Sequence, residues 1–188
     1  MPYDKILPFL VYMLTLRNSG GLEHSDSVTF LAVKTARRLG LPEAFLQQLE
    51  FAARVHDIGK LAISDEILNK PGRFTRFERV AMQQHPLFGV EMLRLLDSLP
   101  EGVLEMVRDH HENFDGSGYP NRLKGEQISM GGQIIALADR FHAMTTTYRV
   151  YRPVFSSAAA LQILQDEGVK YDPKILKVFA EVVNDSSH

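Results

Sequence analysis

The sequence predicts an all-α domain, and three observations carry that expectation. Strand signals are scarce, residues that start and stop helices recur along the chain, and apolar residues return at three- and four-residue spacing. At 188 residues the chain suits one domain with a sizeable core, expected over 1–188, and is short for two.

The first element is expected near 4–17. Ile6 to Leu16 is apolar apart from Thr15. It is too short to span a membrane, which takes ~20 apolar residues, and Arg17-Asn18-Ser19 stands where a signal peptide would need small residues. A core helix is expected, in a chain that is cytoplasmic or the cytoplasmic output end of something longer. Helices follow near 24–39 and 42–55, the second opened by Leu41-Pro42-Glu43 as an N-cap beside a proline at the first helical position. A short helix is expected near 65–69. Thr75-Arg76-Phe77-Glu78 is a capping box that opens 75–84. Helices near 87–96, 101–111 and 133–146 come next. Leu161, Ile163 and Leu164 mark 157–167, closed by Gly168 as the residue after the C-cap. Asp172-Pro173 caps and starts 173–183, where Ile175, Val178, Phe179 and Val182 form an apolar stripe.

From Asn113 to Gly132 this pattern lapses. The stretch holds Gly116, Gly118, Pro120, Gly125, Gly131 and Gly132 without a helical period. A loop of that length inside a compact domain is commonly functional or disordered. It starts directly after His110-His111-Glu112, so it is expected to wall a site.

Composition narrows the function. Apolar residues make up 45% and charged residues 23%, as in soluble globular chains. A formal net charge of -2 advertises no basic face for duplex nucleic acid. With no cysteine, disulfides and thiolate ligands are excluded, in agreement with a reducing compartment.

Five of the seven histidines fall in four short segments that also carry acids: His24, His56-Asp57, His85 and His110-His111-Glu112, with Asp139 on a later helix. Imidazole and carboxylate are the ligands of borderline-hard transition metals. Adjacent residues on one turn can serve neighbouring ions, and a carboxylate can bridge them. The set exceeds the four ligands of one tetrahedral ion and fits a two-metal site.

His56-Asp57-Ile58-Gly59-Lys60, Asn69-Lys70-Pro71-Gly72, His85-Pro86-Leu87-Phe88-Gly89, His110-His111-Glu112, Asp115-Gly116-Ser117-Gly118-Tyr119-Pro120 and Ala138-Asp139 together resemble the HD-GYP family. The resemblance covers about 22–182. It implies a compact helical HD-superfamily domain with its Gly/Pro-rich loop beside the metals. It also implies a phosphodiesterase that hydrolyses the bacterial second messenger cyclic di-GMP to pGpG, and onward to GMP in some members. His24, His56, Asp57 and Asp139 would hold one divalent ion, and Asp57, His85, His110 and His111 the other. Fe or Mn is expected first, with Zn or Ni as alternatives. A hydroxide activated by the two ions would attack phosphorus and expel a ribose 3′-oxygen. Lys60, three residues after Asp57, would contact the scissile phosphate. Arg149 and Arg152 would bind phosphate, which suits a guanidinium fork. Tyr119 would shape the loop, and Gly116 and Gly118 would allow turns at positive φ. A diguanylate cyclase, or a receiver or sensor domain upstream, would be the partner.

Several positions depart from the family pattern. Gly20 stands where members with a third metal carry a glutamate, so a dinuclear site is expected. His142, three residues after Asp139, replaces a common acid and faces the same side as Asp139, as a support for the ligands or a surface group. Gln133 stands where arginine is common, Thr145 to Arg149 is about one residue long, and Val150 replaces a proline. Glu112 and Asp115 read equally as supports for the imidazoles and as loop-capping acids. Three functions remain alongside the first. They are a phosphodiesterase for cyclic GMP-AMP, a catalytically weak dinucleotide sensor or interaction module, and a nucleoside-phosphate hydrolase of the wider HD superfamily. The Gly118-Tyr119-Pro120 loop argues against the last.

Overall fold

The computed structural model describes residues 5–17, 21–97, 99–146 and 154–185. Among them are ten α-helices and no strand, as the sequence predicts. They run α1 (Leu7–Arg17), α2 (Gly21–Arg38), α3 (Glu43–Val55), α4 (Asp65–Leu68), α5 (Arg76–Met82), α6 (His85–Arg94), α7 (Glu101–Asp109), α8 (Met130–Thr145), α9 (Ser157–Asp166) and α10 (Pro173–Asp185). Single 3₁₀ turns lie at Ile58–Ala62, Gly125–Gln127 and Gly168–Lys170.

Local chemistry accounts for most of the boundaries. The Glu78 amide donates to Thr75 Oγ1 at 3.3 Å and the Thr75 amide donates to Glu78 Oε2 at 2.7 Å, closing the capping box. Asp172 Oδ1 accepts from the Lys174 and Ile175 amides at 2.8 and 3.0 Å. Pro42 sits at the N-cap of α3 itself, one position earlier than expected, and no side chain caps that helix. Gly168 follows the C-cap Glu167 but enters a 3₁₀ turn instead of the left-handed region.

The largest departure is the start of α8, at Met130 where the sequence suggested about 133. Glycine lowers helix propensity by roughly 1 kcal/mol, so Gly131-Gly132 reads as loop. Packing reverses this. A β-carbon on Gly131 would lie 2.5 Å from Met106 Cγ, and one on Gly132 would lie 2.7 Å from Asp109 Cβ. The glycines let α8 press against α7. Ser129 caps the helix by accepting from the Gly132 amide at 3.3 Å.

α2 packs on α3, α8 and α10, and α7 on α3, α6 and α8, while α6 lies along the 3₁₀ turn that follows the His56-Asp57 pair. Leu49, Ile58, Leu93, Ile134, Ile135, Leu137, Leu164 and Phe179 are fully buried between them. Each such side chain contributes roughly 1.5–3 kcal/mol. Val11 and Leu14 bury the inner face of α1, as expected of a core helix. No helix among the described residues is long and apolar enough to cross a membrane. The frame brings together the first turn of α2, the C-terminal ends of α3 and α7, the start of α6 and the middle of α8.

Candidate metal centre

The imidazoles are set by helix ends. His56 is the C-cap of α3, His110 is the C-cap of α7, and His85 comes three residues after Met82, the last residue of α5. The last carbonyls of a helix lack intrahelical partners. Each of these histidines uses one: Nδ1 of His56 donates to Ala53 O at 2.7 Å, that of His85 to Met82 O at 2.8 Å and that of His110 to Val107 O at 2.6 Å. A carbonyl only accepts, so the proton sits on Nδ1 and the Nε2 lone pair faces inward.

What the lone pairs face is Asp57. Its Oδ1 lies 3.3 Å from His85 Nε2 and 3.9 Å from His110 Nε2. Its Oδ2 lies 3.5 Å from His56 Nε2 and 3.9 Å from His24 Nε2. One oxygen therefore faces each half of the centre. Asp139 completes the second half, with Oδ1 3.2 Å from His24 Nε2. His111 joins the first half, packed 4.1 Å from the His110 ring and 5.0 Å from that of His85. The ligand atoms of Asp57, His85, His110 and His111 lie within 4.8 Å of one another, as do those of His24, His56 and Asp139.

Lone pairs converge here without enough protons to join them. His85 Nε2 and His110 Nε2 are 3.2 Å apart with both Nδ1 protons already committed to carbonyls, and Asp57 Oδ1 is buried with no hydrogen-bond partner. An unpaired buried oxygen costs ~1–3 kcal/mol. A cation would satisfy it together with the facing nitrogens, so the residues present fit a metal. Burial pushes the titrations the same way. It lowers His56 and His110, and it lowers His111 to about 3, so these three rings are neutral and able to ligate. Burial alone would raise Asp57, but Lys60, His56 and His85 hold it well below the usual carboxylate range. Asp139, likewise opposed by burial, is held down by His24, His56 and His111.

Lys60 lies on the 3₁₀ turn with Nζ 2.5 Å from Asp57 Oδ2. With Asp57, His24, Ser25, Arg17, Leu14, Leu61 and Leu68 it lines a cleft beside the centre. Arg17, which entered the sequence reading only as an argument against a signal peptide, reaches this cleft while donating to Ile63 O at 2.7 Å and pairing with Asp65 at 2.9 Å.

The Gly/Pro-rich loop forms the expected wall. Tyr119 stacks on His111 with ring centroids 4.7 Å apart, and its amide donates to His111 O at 3.1 Å. Gly116 has φ 82°, as expected, whereas Gly118 does not have positive φ. Gly118 instead answers a steric need, because a β-carbon there would sit 2.5 Å from Glu112 Cα. Glu112 and Asp115 prove to be loop-capping acids. Glu112 accepts from the Asn121 and Leu123 amides at 2.6 and 3.1 Å, and Asp115 from the Ser117 amide at 2.8 Å. Arg149 and Arg152, and Gly20, lie outside the described residues. His142 contacts the centre from behind, with Nδ1 2.9 Å from His24 Nδ1. The sequence signal for it was its three-residue spacing from Asp139.

A family model described as an HD domain matches residues 8–175. The chain belongs to the HD-domain family, in its HD-GYP branch. The HD-domain chain is 35% identical over 180 residues to a cyclic di-GMP phosphodiesterase of Thermotoga maritima, covering 95% of this chain and 49% of that protein. It is also 35% identical over 159 residues to a 3'3'-cGAMP-specific phosphodiesterase 2 of Vibrio cholerae, covering 84% of this chain and 30% of the relative. The chain thus spans half or less of the length of these relatives. Among solved structures, Bd1817 from Bdellovibrio bacteriovorus, described as an HDG"Y"P protein, superposes with a TM-score of 0.69 at 17% identity, over 87% of this chain and 52% of that one. That likeness establishes the shared helical fold.

Proposed function

We propose that this HD-GYP domain, working as one unit over 1–188, is a metal-dependent phosphodiesterase for a cyclic dinucleotide, cyclic di-GMP in the first place. The observation that carries the reading is Asp57, whose two oxygens face two separate sets of imidazoles. In this reading His24, His56 and Asp139 with Asp57 Oδ2 hold one divalent ion, and Asp57 Oδ1 with His85, His110 and His111 holds a second. Fe and Mn suit this all-nitrogen-and-oxygen set first, with Zn or Ni as alternatives. Ions so placed supply water activation and neutralise charge on the phosphoryl oxygens.

The chain's own residues define the rest. In the reaction a water oxygen bonds phosphorus, the bond from phosphorus to the ribose 3′-oxygen breaks, and that oxygen takes up a proton. The product is linear pGpG, which a second cleavage would convert to GMP. Asp57, kept ionised by the Lys60 ammonium beside it, serves as ligand and not as proton donor. Lys60 lies at the cleft edge, where its ammonium would offset charge on the equatorial oxygens of the phosphate. Tyr119 holds the His111 ring from the loop side by stacking. Arg149 and Arg152 would bind phosphate, for which a guanidinium fork is suited. The reading places the chain in the cytoplasm, under a receiver or sensor domain or beside a diguanylate cyclase.

The similarity to a cGAMP-specific relative favours one alternative substrate, the mixed 3′,3′-cyclic GMP-AMP. The test is hydrolysis of both nucleotides by anaerobically purified, iron- or manganese-loaded chain, with products resolved by chromatography and metal counted on the same sample. Turnover of cyclic di-GMP to pGpG or GMP with about two metals per chain supports the proposal. Turnover of the mixed nucleotide alone shifts the substrate. Metal without turnover of either would replace the enzyme with a dinucleotide sensor.

A further inference from the structure

His24 differs from the other helix-borne ligands in what stands behind it. The Nδ1 atoms of His56, His85 and His110 donate to main-chain carbonyls three residues back, all near helix C-termini. His24 is in the first turn of α2, Gly21–Arg38. There, the carbonyl three residues back belongs to the helix's own hydrogen-bond ladder. The imidazole must find another partner, and its Nδ1 meets Nδ1 of His142 at 2.9 Å, across from α8 and 118 residues away in sequence.

We infer that His142 is a positioning residue that fixes the His24 ring by accepting a hydrogen bond from its Nδ1, so that the His24 Nε2 lone pair is held toward Asp139 and Asp57. The inference rests on the metal-binding reading above. Geometry separates this role from that of a ligand. His24 Nε2 lies 3.2 Å from Asp139 Oδ1 and 3.9 Å from Asp57 Oδ2, whereas His142 touches the opposite nitrogen of the ring. Two ring nitrogens at hydrogen-bonding distance share one proton. A cation at His24 Nε2 requires that proton on His24 Nδ1, with His142 Nδ1 as acceptor and the His142 proton on its own Nε2. Groups that back a metal-binding histidine in this way change metal affinity by about 10–100-fold when lost. His142 is itself half-buried, and its ring centroid packs 5.0 Å from that of His24.

The test uses the full chain, Zn2+ as probe, and two variants. His142→Phe keeps the ring volume and removes the acceptor, while His142→Asn keeps a polar acceptor near the Nδ1 position. Chelator-competition titration with Zn2+ should show one of two binding steps weakened about 10–100-fold in His142→Phe, the other step unchanged, and most of the loss restored in His142→Asn. Nitrogen-15 spectra of the Zn2+-loaded wild type should show His24 protonated at Nδ1. Equal weakening in both variants would mean that a polar acceptor at this position does not restore the grip, and would overturn the inference. So would an unweakened His142→Phe, a His24 protonated at Nε2, or the loss of one whole Zn2+ equivalent at saturation in both variants, which would make His142 a ligand. A wild-type chain that binds no Zn2+ would overturn this inference and the proposed function together. Zn2+ binding by the wild type with the expected weakening in His142→Phe, but no hydrolysis of either cyclic dinucleotide by the iron- or manganese-loaded wild type, would uphold His142 and refute the enzyme.

Discussion

Gly59 and His85 meet backbone to backbone. A β-carbon built on Gly59 would fall onto the carbonyl oxygen of His85 and against the amide nitrogen of Gly89. The turn that follows Asp57 can approach α6 only because this position has no side chain, and that approach sets Asp57 Oδ1 3.3 Å from His85 Nε2.

Gly59→Ala therefore forces two main-chain segments apart, which no rotamer change can absorb. We expect a stability loss of about 3 kcal/mol or more, the upper end for overpacking, with a parallel loss of metal. Denaturant unfolding of the chelated chain reads the first and metal analysis the second. A loss under about 1 kcal/mol would show that the contact relaxes easily.

Asp57→Asn keeps the shape of the side chain and removes its charge. Because both halves of the centre use this carboxylate, metal content should fall at both and hydrolysis should stop. Retention of full metal content with activity would show that Asp57 does not join them.

Lys60→Ala removes the ammonium 2.5 Å from Asp57 Oδ2 without removing a ligand. Metal content should hold, while kcat falls by about 100-fold, the usual scale for losing one group that stabilises developing charge. Unchanged kcat would confine Lys60 to its pairing with Asp57.

The imidazoles of the centre should make the metal-free chain acid-sensitive. His111 is held at about 3 in the fold against 6.5 in the unfolded chain, and burial also lowers His56 and His110. Between those values the unfolded chain binds more protons. Stability is fully present above about pH 6.5 and declines as pH falls toward 3, by up to about 1.4 kcal/mol per pH unit for each such histidine. Urea midpoints of the chelated chain should drop between pH 7 and 5. A flat profile would mean the imidazoles already carry protons in the fold.

Much of the fold was legible because its signals are local. Thr75 and Glu78 cap one helix and Asp172 another as the sequence suggests, with every partner within three residues. The resemblance carried by the ordered histidine and aspartate segments implied two groups of side chains around Asp57, and those side chains lie together in the fold. What escaped the sequence is tertiary. Gly131 and Gly132 read as loop because their helical role depends on Met106 and Asp109 of a different helix. Gly118 was read as a residue of unusual φ when its requirement is proximity to Glu112. The pairing of His142 with His24 depends on how α2 crosses α8, and the residue spacing suggested only that His142 shares a side with Asp139.

The main-chain carbonyls behind His56, His85 and His110 make those rings hard to retune. An amide carbonyl is the same whatever residue carries it, so substitution at Ala53, Met82 or Val107 leaves the acceptor in place. Of these four rings, His24 is the one whose Nδ1 partner is a side chain, and so is written in a codon. In the metal-binding reading, position 142 is a place where drift or selection would adjust the centre's grip while sparing the ligands, as is Tyr119, whose ring stacks on His111.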